Sequence, residues 1–167
     1  MDEIKDFQIS KYYSYYDVVN TSHTDLLSKN KIAGVPYILQ MHKFLVSAID
    51  PICEAFNTKF LITSGFRCQE LNRRVGSTVP TSRHTRGLAV DIQDEQWNYD
   101  DLFSGMVEVA VKMIKLGLPF HKIILEKRTK QNKKWIHISG AADGEKISRR
   151  ILTGIDDNYV EKNIKIS

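Results

Sequence analysis

Residues 63–92 read TSGFRCQELNRRVGSTVPTSRHTRGLAVDI, and inside them 82–91 read SRHTRGLAVD. Leu88, Val90 and Ile92 alternate with Ala89, Asp91 and Gln93. That two-residue period marks a half-buried strand and puts Asp91 on the face opposite Leu88, Val90 and Ile92. Gly87 permits a turn just before the strand, which brings His84 back over its end. An imidazole and a carboxylate converging in this way supply two of the three protein ligands of a zinc site that keeps one position open.

Working outward, two further strands are expected over 122–126 and 134–139, joined as a hairpin by the basic run KRTKQNK at 127–133. Alternation puts Ile124 and Glu126 on one face of the first, and Trp135, His137 and Ser139 on one face of the second. If those faces coincide, Glu126 and His137 are near neighbours. The run 60–63 is short, apolar and β-rich, and reads as a central strand. A helix is expected over 68–75, stopped near Gly76, followed by a loop over 77–83. Asn98 or Asp100 can cap a helix that carries Leu102, Met106, Val109, Ala110, Met113 and Ile114 on one side and ends at Gly117 and Pro119. Over 35–56, Ile38, Met41, Leu45, Ala48, Ile49 and Ile52 recur at helical spacing, with a kink or restart required at Pro51. His42 falls on that helix as a packing or surface residue. Residues 1–34 read as an arm with a short helix over 24–28, 148–152 as one more strand, and 154–167 as a peripheral tail.

With 167 residues, 42% of them hydrophobic and 26% charged, the chain suits one domain with a core of its own, and a monomer is expected. No apolar run approaches the length of a transmembrane span. The opening MDEIKDF lacks a basic segment followed by an apolar one, so no secretory signal is expected. Cys53 and Cys68 are the only cysteines; two make no disulfide framework and leave the redox compartment open. A net charge of +4 and a pI near 9.0 suit an anionic partner such as a cell wall. No nucleic-acid-binding motif accompanies that charge, so no nucleic acid is expected. The basic run 127–134 reads either as a solvated hairpin tip or as an attraction to anionic wall polymers that salt would weaken.

The pattern S-x-H-x-x-G-x-A-x-D at 82–91 is preceded by SGFR at 64–67 and LNRRVG at 71–76, and followed by IILE at 123–126 and WIHIS at 135–139. In this order the motifs resemble the zinc D,D-peptidases that cut peptidoglycan stem peptides. More narrowly, they are similar to the zinc D-Ala-D-Ala carboxypeptidase branch, whose fold is shared with the amino-terminal signalling domain of hedgehog proteins. The similarity covers residues 35–153. It implies an α+β domain in which helices pack around a small, mainly antiparallel sheet carrying a Zn2+ ion. The implied ligands are His84, Asp91 and His137. Two neutral imidazoles and one carboxylate leave a net charge near +1, which favours ionisation of a water at the open position at about pH 7.

The resemblance also assigns roles. Many members of the wider family place a glutamate three residues before the last histidine, where this chain has Lys134; the carboxypeptidase branch instead ends the preceding strand on one, which makes Glu126 the implied general base. Arg67 matches the arginine that polarises the scissile carbonyl. Ser82 orients its loop or donates to a substrate carboxylate, and Trp135 walls the pocket. The residues by themselves also allow a surface pairing of Glu126 with the basic run, a salt bridge at a helix start for Arg67, and a core role for Trp135. The implied function is hydrolysis of D-Ala-containing bonds in peptidoglycan, by an exo- or endopeptidase. A phage-type endolysin or a virion-associated lysin, held in the producing cell until release, fits that function. The alternative is a non-catalytic zinc module of the same fold.

Overall fold

The computed structural model describes residues 4–77, 79–98 and 103–162. Six strands form one sheet: β1 (Leu61–Ser64), β2 (Ala89–Gln93), β3 (Lys122–Arg128), β4 (Lys133–Ser139), β5 (Arg150–Ile155) and β6 (Asn158–Glu161), in the order β1-β2-β4-β3-β5-β6. All neighbours are antiparallel except β3 and β5, which run parallel. The helices are α1 (Tyr15–Val19), α2 (Thr24–Gly34), α3 (Ile38–Phe44), α4 (Asp50–Phe56), α5 (Gln69–Arg74) and α6 (Ser104–Lys115). The α+β class expected from the sequence is the one observed.

The pleat sorts the sheet into two faces. Val90, Ile92, Ile123, Leu125, Ile136, Ile138 and Ile151 point to one side and pack in a single buried cluster with Ile49 and Ile52 and with Met106, Val109, Ala110 and Met113 of α6. The other face carries two adjacent rows. One row runs Asp91, His137, Ile124 and Leu152; the next runs Trp135, Glu126, Gly154 and Tyr159. The expected coincidence of faces in the β3–β4 hairpin therefore holds.

Several expectations need correction. The run 60–63 forms an edge strand rather than a central one: β1 pairs with β2 alone among the described strands, and Leu61 is 60% exposed. A run this short cannot distinguish an edge from an interior position, and here Phe60, edge-on to Phe56 and tilted against Trp97, is the buried member. Helix α6 begins at Ser104 with Phe103 at its cap, and Asn98 instead ends a 3₁₀ turn, Glu95–Asn98. Asp100 and Leu102 lie outside the described residues. The β3–β4 strands extend to Arg128 and from Lys133, so only four residues of the basic run turn the corner. Lys134 is no part of a solvated tip: it lies on the core face with its Nζ 2.7 Å from the carbonyl oxygen of Trp97. The segment expected as a peripheral tail from residue 154 completes β5 and forms β6.

Pro51 does not end its helix. A single π turn, Leu45–Ile49, precedes it and absorbs the missing N–H. The resulting helical run, Thr24–Phe56, has the length and composition of a possible membrane span, which the sequence reading did not anticipate. A core helix meets the same test, and Met41, Phe44, Leu45, Ala48, Ile49, Ile52 and Cys53 pack inside the domain. His42 lies on its exposed side, with Nδ1 2.7 Å from the carbonyl oxygen of Ile9.

The first 34 residues do more than drape the surface. Tyr13, Tyr15, Val18 and Val19 are fully buried or nearly so, and the expected short helix runs on to Gly34. From α2, the buried Asn30 donates from Nδ2 to the carbonyls of Val19 (2.7 Å) and Phe66 (2.9 Å), and its Oδ1 accepts the Cys68 N–H (2.6 Å). The bonds to Phe66 and Cys68 pin the backbone on either side of Arg67. Removing that side chain strands two carbonyls and an N–H in a dry interior, at about 1–3 kcal/mol for each group left unsatisfied. Asn30→Ala is therefore expected to lose about 3 kcal/mol or more of stability in urea titration; a loss below about 0.5 kcal/mol would show that the clamp is dispensable.

Candidate metal centre

His84 sits in a 3₁₀ turn, Arg83–Arg86, that Gly87 ends at φ 66°. A side chain at 87 would be strained at that angle and would also press on Met41, whose Cγ lies 2.8 Å from the Cβ position. The turn folds His84 back over β2, as the glycine predicts. Asp91 on β2 and His137 on β4 are directly paired across the sheet, on the same face. Ser82 caps the turn, its carbonyl accepting from the Thr85 hydroxyl at 2.7 Å.

The three side chains meet at one point. Asp91 Oδ1 lies 2.9 Å from His137 Nδ1 and 3.4 Å from His84 Nε2, and the two ring nitrogens are 3.2 Å apart. Ligand atoms about 2.0–2.1 Å from a tetrahedral ion stand about 3.3 Å from one another, so the spacing suits a metal. The tautomer suits it as well. Gly65 O lies 2.7 Å from His84 Nδ1 and accepts a hydrogen bond from its N–H, which leaves Nε2 as a lone pair facing the carboxylate. Two acceptors turned toward each other call for a cation between them. Burial pushes the His84 imidazole below its ordinary value, which keeps it neutral. Burial works against the Asp91 charge, yet the hydrogen bond with His137 holds this carboxyl well below the usual carboxylate range. Neutral imidazoles and an ionised carboxylate are the forms that bind metal.

Arg67 is part of the same cluster. Its Nη2 donates to Asp91 Oδ2 at 2.8 Å and its Nε to the Ser64 hydroxyl at 2.7 Å. The guanidinium thus fixes the carboxylate from behind and turns Oδ1 toward the imidazoles. Its own backbone N–H donates to His84 O (3.1 Å), and its neighbour Phe66 donates to Val18 O (2.8 Å). Gly65 comes so close to Val18 that a Cβ there would stand 2.8 Å from Val18 Cγ1. Asn30 and Val18 are therefore the site-building residues that the sequence reading missed. An asparagine in a polar stretch carries no periodicity, and its three bonds exist only once α2 is docked.

Glu126 is half-buried on the same face, diagonal to His137 and directly opposite Trp135. Burial raises its carboxyl above the ordinary glutamate value, and the nearby Asp91 charge adds to the rise. Lys134, three residues before His137, points to the opposite face, because an odd spacing reverses sides in a regular strand. The carboxylate on the metal-bearing face beside His137 is therefore that of Glu126, on the neighbouring strand.

Arg83 ties the His84 turn to the segment after His137. It donates to the Gly140 carbonyl at 3.0 Å and forms a two-pronged pair with Glu145. The guanidinium, aided by the Ala142 N–H, holds the Glu145 carboxyl at about 2.

Two imidazoles and a carboxylate around one point, braced by an arginine and flanked by a half-buried glutamate on an α+β sheet, make a candidate metal centre. The family Peptidase M15 matches residues 27–139, and the chain belongs to that family. No curated protein matches the chain. The matched region contains Arg67, Ser82, His84, Asp91, Glu126, Trp135 and His137, and stops before β5 and β6.

Three outcomes are expected here. His84→Ala and Asp91→Ala should purify without metal, and full occupancy by elemental analysis would remove them from the ligand set. Arg67→Ala keeps all three ligands, so the sequence alone predicts undiminished binding; its bond to Asp91 instead predicts affinity about 10–100-fold weaker, measured by titrating zinc into chelator-stripped protein. The Glu145 carboxyl lies below its unfolded value, so its pair with Arg83 contributes stability above about pH 4.5 that is lost as pH falls toward about 2. Metal-free Glu145→Gln should melt below metal-free wild type at pH 7, with the difference closing over that window; a constant difference would assign the pair no linkage.

Proposed function

We propose that this protein is a zinc-dependent peptidase that hydrolyses peptide bonds of peptidoglycan stem peptides, with D-Ala-containing bonds as the expected targets. The observation that carries the reading is the row of Asp91 and His137, closed by His84, with Glu126 in the next row of the same sheet face. Membership of the M15 peptidases supports a peptide substrate. Two nitrogens and one carboxylate suit zinc among the common divalent ions. Bound at His84, Asp91 and His137, zinc supplies Lewis acidity and brings the pKa of a water at its open position to about 7.

The chain's own groups do the remaining work. Glu126 accepts a proton from the attacking water and returns it to the leaving amine; the raised carboxyl suits both halves of that exchange. Arg67 spends two of its N–H groups on Ser64 and Asp91, and a guanidinium has five. The others are available to the carbonyl oxygen as it gains charge. Trp135, opposite Glu126, forms a wall against which a peptide lies. Ser82, two residues before His84, orients its loop or donates to a substrate carboxylate. Action at the bacterial wall as a phage-type or virion-associated lysin belongs to the same proposal, which the substrate class supports.

Digestion of purified peptidoglycan, followed by mass spectrometry of the products, tests the reading and identifies the bond. Turnover should vanish with a chelator and return with zinc. Glu126→Gln should keep metal and fold and lose about 10²–10⁴-fold in kcat. Arg67→Ala at saturating zinc should lose about 10²–10³-fold, with Arg67→Lys also impaired because the planar fork is gone. A protein that binds zinc but releases no product from any wall preparation would instead be a non-catalytic zinc module.

A further inference from the structure

The β5–β6 hairpin lies beyond the segment that matches the family, yet it reaches the candidate base. Glu126, Gly154 and Tyr159 are paired side by side across β3, β5 and β6, so all three face the site. Gly154 has no side chain, and the ring of Tyr159 lies across the gap it leaves. A Cβ at 154 would stand 2.6 Å from Tyr159 Cε1 and 2.8 Å from Cδ1. Through this slot the phenol oxygen comes within 3.4 Å of Glu126 Oε2 and 3.5 Å of Asp157 Oδ1. Hydrogen bonds to catalytic groups are often long before substrate binds and tighten afterwards.

The hairpin is held in place by charge. Asp156 and Asp157 form its turn with φ of 46° and 67°. Asp157 pairs with Arg128 at 2.6 Å, and Asp156 accepts the Thr129 N–H at 3.0 Å and the Thr129 hydroxyl. Part of the basic run is thereby spent on docking an acidic turn. The Arg128 guanidinium also lies over the Trp135 ring, 5.8 Å from its centroid. Burial, with the Glu126 and Asp157 charges, pushes the Tyr159 phenol up to about 12, so it stays a donor at any working pH.

We propose that Tyr159 is a positioning residue that holds Glu126 through the slot at Gly154. The inference rests on the reading of Glu126 as the base. Glu126 is long and half-buried, and a donor fixed on a paired strand limits the rotamers from which it reaches a proton.

Tyr159→Phe keeps the ring and removes the donor, and kcat on peptidoglycan is expected to fall about 10-fold with KM within about twofold. Gly154→Ala should give the same loss, since the ring can swing aside and the backbone need not move. In a Glu126→Gln background, Tyr159→Phe should cause no further loss in the residual rate, as two groups acting as a unit are not additive. A readout independent of turnover is the ¹³Cζ resonance of Tyr159, assigned by its absence in Tyr159→Phe, which should shift in Glu126→Gln. Wild-type kcat in both Tyr159→Phe and Gly154→Ala, a further loss in the Glu126→Gln background, or an unmoved resonance overturns the inference. Normal turnover in Glu126→Gln overturns the base reading itself, and the resonance then still reports whether the contact exists.

Discussion

The pairing of Asp91 with His137 across β2 and β4 is the constraint on which the site depends. It brings two residues 46 positions apart in the chain into hydrogen-bond range. A slip of one residue in that register would turn one of them into the core. The register is protected from behind, because Val90, Ile92, Ile136 and Ile138 on the same two strands are all buried. Hydrophobic burial on one face therefore sets ligand geometry on the other. His84 is added by a local device, the turn at Gly87, and needs no strand of its own.

A buried carboxylate among imidazoles needs support on its remaining oxygen, and Arg67 provides it. That places the demand on the short loop Gly65–Cys68, which has no secondary structure to fix it. The amino-terminal segment answers the demand with Val18 beneath Gly65 and with Asn30 bonded on both sides of Arg67. The helices of the first third of the chain thus form one end of a relay: α2 holds the loop, the loop holds Arg67, and Arg67 holds Asp91. The far side of the site is built differently, by the Arg128–Asp157 ion pair and the hydrogen bonds from Thr129 to Asp156.

The sequence by itself determined the local features of this protein. Alternation across 88–93 gave the strand and the side that Asp91 occupies. Gly87 gave the turn that returns His84, and the phases of 122–126 and 134–139 put Glu126 and His137 on matching faces. These follow from a period of two and from one positive φ, both properties of a few neighbouring residues. The resemblance over 35–153 joined His137 to the other two ligands, since no spacing rule reaches that far along the chain.

Only the tertiary structure decided the rest. Whether 60–63 lies at an edge or in the middle depends on which strands come to pair with it. Asn30 has a purpose only when three backbone segments surround it. Lys134 is buried because Trp97 presents a carbonyl to it across the core. Tyr159, in a polar stretch with a period too short to read, gains its place from the parallel pairing of β5 with β3 and from the absence of a side chain at Gly154. Each of these is a contact between residues remote in sequence, whose free energy exists only after the chain has closed on itself, so no local pattern records it.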